Sequence, residues 1–299
     1  MEARHTFVKG RSGFGIFYRV EDFIVFITIV SVLVRSMDLT VLAFCPMFNH
    51  AHFLFKDAGL PAIRSFIRRM AVIFVKEYNR EYGRQGPLFQ KRFGSSLKKA
   101  VKIVLGTVAY VFNNPVAGRL CKTAKEYRWN LLAYHKCRNP FSKTLRKESA
   151  RHQMRVALKK VDYLHSKGRF LSYQALSGIF GKLLKEEKQQ AIDYILAKYN
   201  FLSFDSLEIL YGSHDRMLLA LDSNAGSEFE IEDEYGDHSC YRSMLSLVKR
   251  LGYKDRGLNF EKLNAEEIID LFRRIRSVTK APSSNIRKFL HLQPDEEKP

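Results

Sequence analysis

Hydrophobic and polar positions in the first 140 residues follow the strand and helix periods in turn. The pattern predicts a strand at 5–8, a helix at 20–36, strands at 39–45 and 50–55, a helix at 60–82, a strand at 88–93, and a helix from Ser95 or Ser96 to Asn113. Pro115 is expected to stop the last helix, because the residue before a proline is pushed out of the helical region. This order predicts an α+β sandwich with helices against an antiparallel sheet.

After Pro140 the hydrophobic pattern becomes helical with few strand signals. It predicts a mainly helical accessory domain over residues 141–299. Two helical segments at 264–292 flank a break at 281–284, as in a helix-turn-helix. Arg287 and Lys288 would point outward from the second helix. A major-groove reader and a pair of packed helices without DNA contact both fit this pattern.

The apolar run at 23–34 is the one segment that looks like a membrane span. It has 12 residues, whereas a spanning helix needs about 20. A buried helix or strand is therefore predicted, and no membrane partner is expected.

Charge narrows the class of partner. The chain has 299 residues, a net charge of +19 and 46% hydrophobic residues, so it can build a large core and suits a polyanion. Residues 1–140 carry 23 Lys and Arg against 8 Asp and Glu, which places the polyanion surface mainly there. The four cysteines lack metal-finger spacing, so they are interpreted as reduced thiols of a cytoplasmic protein.

His50 and His52 stand two apart on a predicted strand, so their side chains share a face while Ala51, Phe53 and Phe55 point to the core. Two neutral imidazoles side by side can bind a metal ion. Histidines satisfied by local hydrogen bonds fit the same spacing.

Tyr110 and Asn114 are four apart, hence neighbours on one face of a helix. The carboxamide oxygen of Asn114 is a candidate third metal ligand. The phenol of Tyr110 can form a covalent link with phosphate. A packed tyrosine, and an asparagine that caps or turns before Pro115, are the alternatives.

Basic residues fill the segment between these two pieces. Some of them are expected to hold phosphates, with Phe89 or Phe93 available for base stacking, although a solvated helix face is an equal alternative. The candidates here are Arg84, Lys91, Arg92, Lys98, Lys99 and Lys102, and Arg287 and Lys288 are the candidates in the C-terminal pair.

Four segments together resemble the single-tyrosine HUH transposases, and most closely the REP-associated tyrosine transposases. They are CPMFNHAHFLF (45–55), EYGRQGPLFQKRF (81–93), AYVFNNPVAGRL (109–120) and EYRWNLLAY (126–134). The resemblance covers roughly residues 1–138. Phe48 stands where many members have proline, and Phe89 where many have tryptophan, which puts fine geometry in doubt rather than chemistry.

The resemblance implies a ferredoxin-like HUH domain over residues 1–140. It implies that His50, His52 and Asn114 bind a divalent ion, Mg²⁺ or Mn²⁺, and that Tyr110 attacks a DNA phosphate. The expected activity is cleavage and rejoining of single-stranded, hairpin-forming DNA through a 5′-phosphotyrosine, by a monomer or homodimer.

Other functions fit parts of the same pattern. A replication-initiator or relaxase-like nickase would use the same histidine pair and tyrosine. An inactive or regulatory nucleic-acid-binding protein would keep the basic surface without the chemistry. A membrane-surface protein is disfavoured, because the basic residues are spread over several elements.

Overall fold

Four antiparallel strands form the sheet of the N-terminal part. The computed structural model describes residues 1–223, 239–253, 260 and 263–292. The strands are β1 (Ala3–Lys9), β2 (Thr40–Pro46), β3 (His50–Lys56) and β4 (Gly94–Lys98), arranged in the order β2-β3-β1-β4. β1 therefore lies in the middle of the sheet, paired with β3 on one side and β4 on the other.

Three helices accompany this sheet: α1 (Val20–Ser36), α2 (Leu60–Tyr82) and α3 (Val101–Ala117). The element order β1-α1-β2-β3-α2-β4, with this strand order, consists of two interleaved split β-α-β units. The prediction of an α+β fold with an antiparallel sheet is confirmed.

The two faces of β3 meet different helices. Phe53 packs against Phe66 of α2 and Phe26 of α1, with ring centroids 5.6 and 6.4 Å apart. His52 faces Tyr110 of α3. Because side chains alternate along a strand, the phenylalanines fill the core under α1 and α2 while the histidines lie under α3.

The apolar run at 23–34 lies inside α1 and is buried along most of its length. Asp22, in the first turn of the helix, is fully buried and accepts hydrogen bonds from the backbone N–H groups of Tyr18 and Arg19 and from the hydroxyls of Tyr82 and Tyr173. Within the described residues, no helix combines the length and apolarity that a membrane span needs.

The predicted strand at 88–93, in the segment that leads to α3, is wrong. Residues 88–93 form only an isolated bridge between Phe89 and Gly10, and the paired strand begins at Gly94. The segment makes two backbone hydrogen bonds beside this bridge, from the N–H of Gln90 to the carbonyl of Lys9 and from the N–H of Arg11 to the carbonyl of Leu88. Lys91 and Arg92 follow them and are exposed. Gly94 fits because a Cβ at that position would lie 2.1 Å from the ring of Phe7.

Both ends of α3 also differ from the prediction. Ser95 and Ser96 lie in β4 rather than capping α3, which begins after Ala100. Pro115 lies inside the helix, which continues to Ala117. A proline in the final turn removes one backbone hydrogen bond, while Phe112 and Asn113 in the preceding turn are buried and Asn113 donates to the carbonyl of Leu221 in α8.

The remainder of the described chain is helical. Short 3₁₀ helices at Ala124–Glu126, Arg128–Asn130 and Leu132–Tyr134 follow α3. The later helices are α4 (His152–Ser166), α5 (Tyr173–Phe180), α6 (Lys185–Lys198), α7 (Phe204–Tyr211), α8 (His214–Ser223), α9 (Ser239–Arg250), α10 (Ala265–Thr279) and α11 (Ser283–Leu290).

Contacts cross the predicted domain boundary at residue 140. Tyr173 of α5 donates to Asp22 of α1, the N–H of Ser203 donates to the carbonyl of Val41 in β2, and Asn113 of α3 donates to the carbonyl of Leu221 in α8. The buried hydrophobic residues of both parts form one continuous cluster.

Candidate metal and tyrosine site

Four of the predicted site residues meet on the face of the sheet covered by α3. His50 and His52 come from β3, and Tyr110 and Asn114 come from α3, one helical turn apart. The rings of His50 and His52 are 4.8 Å apart between centroids and nearly perpendicular. The shared face predicted from the alternation of β3 is therefore present.

Hydrogen bonding fixes the orientation of His50. Its Nδ1 lies 2.7 Å from the Oδ1 of Asn49. A carboxamide oxygen only accepts, so Nδ1 carries a proton, and in the neutral ring Nε2 then has a lone pair. That Nε2 lies 3.4 Å from the Oδ1 of Asn114, so two acceptor atoms face each other across a short distance.

His52 is completely buried, and its partner is His5 of β1. The Nδ1 of His52 lies 3.0 Å from the Nε2 of His5. When the shared proton sits on His52 Nδ1, the lone pair of His52 is on Nε2, which is buried and has no hydrogen-bond partner among the described residues. Burial lowers the pKa of His52 well below its usual value, and His50, His5 and Lys9 lower it further.

Tyr110 packs edge-on against two imidazoles. Its ring centroid lies 5.5 Å from that of His52 and 5.6 Å from that of His5, with the ring planes close to perpendicular. Only 7% of Tyr110 is exposed. A DNA phosphate can therefore reach its hydroxyl only through a narrow opening or after local movement of α3.

The donor set fits a divalent cation. Two neutral imidazoles and one carboxamide oxygen are common ligands of first-row divalent ions. Atoms that ligate one ion at about 2.0–2.2 Å lie roughly 3 Å or more apart, in keeping with the 3.4 Å between His50 Nε2 and Asn114 Oδ1. The buried Nε2 of His52 also needs a partner of positive character, which an ion supplies.

Two of the predicted phosphate-binding residues lie at the histidine end of the sheet. The N–H of Gln90 donates to the carbonyl of Lys9, which is paired with His50, so the exposed Lys91 and Arg92 follow directly. Lys98 shares the histidine face of the sheet, because it pairs with Ala3, and Lys99 is exposed beyond it. Lys98 lies four residues from Gly94, about 13 Å along the strand.

Arg84 is held within its own segment. Its guanidinium lies over the ring of Tyr78, 5.9 Å from the centroid, and Nη1 donates to Asn79 at 3.4 Å. Lys102 is exposed at the start of α3. The structure thus leaves Lys91, Arg92, Lys99 and Lys102 at the surface and engages Arg84 with its neighbours.

The predicted helical pair at 264–292 exists as α10 and α11, and α11 packs on the N-terminal part. The hydroxyl of Tyr18 donates to the carbonyl of Phe289, and the N–H of Gly15 donates to the carbonyl of Lys288. Arg287 and Lys288 are half-buried rather than fully outward. Asn49, the partner of His50, donates to the carbonyl of Gly13 in the same loop, which connects α11 to the site.

Sequence reasoning missed one residue of this site and a second group of candidate metal ligands elsewhere in the chain. His5 lies on β1, and only the pairing of β1 with β3 shows that it reaches His52. A second group, His135, Glu208 and His214, has ligand atoms within 4.8 Å of one another and could hold a metal ion. Its members are widely separated along the chain, so no local spacing indicates it.

Known families, curated sequences and solved structures offer few matches to this chain. No protein-family model matches the chain, and no curated protein sequence matches it. A solved structure of a REP-associated tyrosine transposase bound to a REP hairpin matches with 16% identity and a TM-score of 0.33, covering 42% of this chain and 73% of the other. A TM-score this low carries no weight for the fold or the activity of this chain.

Proposed function

We propose that this protein is a metal-dependent transposase or endonuclease that cleaves and rejoins single-stranded DNA through a covalent bond to Tyr110. The observation that carries the proposal is the meeting of His50, His52, Asn114 and Tyr110 on one face of the sheet. β3 and α3 present these groups together on the face opposite the α1–α2 core. A ferredoxin-like HUH domain is the fold that this arrangement resembles.

In the proposed reaction the phenol oxygen of Tyr110 attacks the phosphorus of a phosphodiester. A bond forms between that oxygen and phosphorus while the bond from phosphorus to the 3′-oxygen breaks. The phenol proton is lost and the departing 3′-oxygen gains one, so a 5′-phosphotyrosine and a 3′-hydroxyl result. Attack by another 3′-hydroxyl reverses the step and rejoins the strands, with no need for ATP.

The residues of this chain contribute binding and orientation. His50, His52 and Asn114 would hold the divalent ion, Mg²⁺ or Mn²⁺, with Asn49 and His5 fixing the two rings. When bound, such an ion polarises the phosphate and stabilises the charge of the transition state. Lys91 and Arg92, which are exposed, would hold the phosphates of the bound strand, which we expect to form a hairpin.

The variant Tyr110→Phe tests the proposal. Phe keeps the packing against His5 and His52 but lacks the nucleophilic oxygen, so covalent protein–DNA adducts should be abolished. Binding of the same DNA should change little. Adducts are measured by denaturing electrophoresis after incubation of labelled hairpin-bearing single strands with Mg²⁺ or Mn²⁺, and binding by fluorescence anisotropy.

Tyr199→Phe is a matched control, because it removes the hydroxyl of another buried tyrosine. This hydroxyl donates to the carbonyl of Arg169 in the helical part, away from the histidine face. Adduct formation should survive this change. Adducts that persist in Tyr110→Phe at the parent level would exclude Tyr110 as the nucleophile.

The burial of Tyr110 favours one alternative, a nucleic-acid-binding protein without strand-cleaving activity. In that case the parent protein would bind hairpin-bearing strands equally with and without divalent ions. It would form no adduct with any of them. Mapping of the cut position, where cleavage occurs, separates a transposase from a replication-initiator or relaxase-like nickase.

A further inference from the structure

We propose that His135, Glu208 and His214 form a second metal site, best suited to Zn²⁺, that fastens the helical part of the chain to the N-terminal part. It is separate from the His50–His52 site and takes no part in the proposed strand cleavage. Three protein ligands and a water molecule would complete the coordination of the ion.

The three side chains converge without distortion of the chain. The Nε2 of His135 lies 2.9 Å from the Oε1 of Glu208. The rings of His135 and His214 are 4.5 Å apart between centroids. One ligand atom from each of the three residues lies within 4.8 Å of the other two, close enough for a shared ion after small side-chain rotations.

An unsatisfied nitrogen points to a missing ligand. His214 is 93% buried, with 7% of its surface exposed, and its Nδ1 has no hydrogen-bond partner among the described residues. A buried polar atom without a partner is costly, and native structures seldom leave one. Phe204 stacks on the ring of His135, with centroids 4.2 Å apart, and restricts its orientation.

The types of ligand atom favour Zn²⁺ over Mg²⁺ and Ca²⁺. Two imidazole nitrogens and one carboxylate oxygen form a set that is common for Zn²⁺, with a water molecule in the fourth position. Mg²⁺ and Ca²⁺ prefer oxygen ligands, so they would bind weakly here. An ordinary ion pair of His135 and Glu208 is the alternative, but it would leave Nδ1 of His214 unsatisfied.

The positions of the three ligands show which parts of the chain a bound ion would join. His135 follows the 3₁₀ helix at Leu132–Tyr134, Glu208 lies on α7, and His214 begins α8. A shared ion would therefore join the end of the N-terminal part to two helices of the C-terminal part. It would add to the existing link between Asn113 of α3 and Leu221 of α8.

The test uses full-length protein in which His50→Ala and His52→Ala remove the other candidate site. We expect this protein, freed of metal by dialysis, to bind one Zn²⁺ per chain in a competition titration with a chromophoric chelator. Its Tm should rise when Zn²⁺ is added. Adding His135→Ala and His214→Ala should weaken Zn²⁺ binding at least about 100-fold, since loss of even outer partners of metal ligands weakens binding 10- to 100-fold.

Two further variants keep the result interpretable. His152→Ala removes an exposed histidine of α4 and should leave Zn²⁺ binding unchanged. Glu208→Gln keeps the shape of the side chain but removes its charge, and should weaken binding without unfolding the protein. Circular dichroism confirms the fold of each variant.

Co²⁺ provides an independent readout in the protein that lacks His50 and His52. We expect visible absorption bands typical of a nitrogen- and oxygen-ligated ion of low coordination number, which disappear in Glu208→Gln. The inference is overturned if the folded protein binds neither Zn²⁺ nor Co²⁺. It is equally overturned if Zn²⁺ binding survives the loss of His135 and His214. Because the protein tested lacks the proposed catalytic ligands, these outcomes are independent of the strand-cleavage proposal.

Discussion

At the scale of single residues, His5 decides which nitrogen of His52 can bind a metal ion. The 3.0 Å contact between His5 Nε2 and His52 Nδ1 occupies one nitrogen of the buried ring and leaves Nε2 toward α3. Partners of this kind orient ligating histidines and raise their affinity for metals. His5 is therefore a positioning residue for the proposed ion.

We predict that His5→Ala lowers the Mn²⁺ affinity of the His50–His52 site by about 10- to 100-fold. Removal of the imidazole leaves His52 Nδ1 without its partner, so the ring loses its fixed orientation. Affinity is measured by electron paramagnetic resonance of free Mn²⁺, in protein that also carries His135→Ala and His214→Ala. His5→Gln offers an acceptor oxygen to His52 and should recover most of the loss.

Equal Mn²⁺ affinity in the parent and in His5→Ala would show that His5 does not position His52. A loss that His5→Gln fails to recover would indicate a packing effect instead. His152→Ala serves as the exposed histidine control.

The residues of the two candidate metal sites differ in how far the sequence predicts them. His50 and His52 could be placed on one face because strand alternation is a local property. Tyr110 and Asn114 could be paired because helix periodicity is also local. His5, Glu208 and His214 could not, because their roles depend on strand register and on helix packing between distant segments.

At the scale of elements, long periodic segments were predicted to the residue. The bounds of α1 and α2 match the predicted helices at 20–36 and 60–82. One error is at the C-terminal end of α3, which continues through Pro115. The others fall between α2 and α3, where the short β-like composition at 88–93 does not indicate which residues pair with β1. Which residues of a segment join a sheet depends on the neighbouring strand. Here a Cβ at position 94 would collide with the ring of Phe7, so a glycine fits at that position.

The same segment carries a test of DNA binding. Lys91 and Arg92 are exposed next to the histidine end of the sheet, so we predict that Lys91→Glu together with Arg92→Glu weakens binding of single-stranded DNA. If both residues contact phosphates, the slope of log affinity against log salt should fall by about 1.4, at roughly 0.7 per contact for single strands. Anisotropy titrations over a range of NaCl concentrations measure this slope.

Lys185→Glu together with Lys188→Glu is the matched control. It changes the charge by the same amount at exposed positions of α6, outside the predicted DNA-binding groups. An equal loss of affinity in the two double variants would show that total charge, rather than the surface beside β4, governs binding.

At the scale of the whole molecule, the C-terminal helices are part of the core that supports the site. Phe289 of α11 is completely buried, and its ring lies 5.5 Å from that of Tyr18 and 6.1 Å from that of Phe48. The change in composition predicts a domain boundary at residue 140, which stays a prediction. The packing across it could not be predicted, because apolar faces of helices do not indicate which partner covers them.

This shared core predicts one unfolding transition for both parts of the chain. Phe289→Ala should lower the free energy of unfolding by about 3–5 kcal/mol, as expected for a buried phenylalanine. It should shift the whole denaturation curve, followed by circular dichroism and by hydrogen exchange at the amides of β3.

Val278→Ala, at a position of α10 that is 57% exposed, is the control and should change the free energy of unfolding by less than about 0.5 kcal/mol. If α11 belonged to an independent domain, Phe289→Ala would produce an early transition that leaves the exchange of β3 unchanged. Protection of β3 that falls together with the helical signal would instead show that Tyr18 and Phe48 transmit the loss to the sheet that carries His50 and His52.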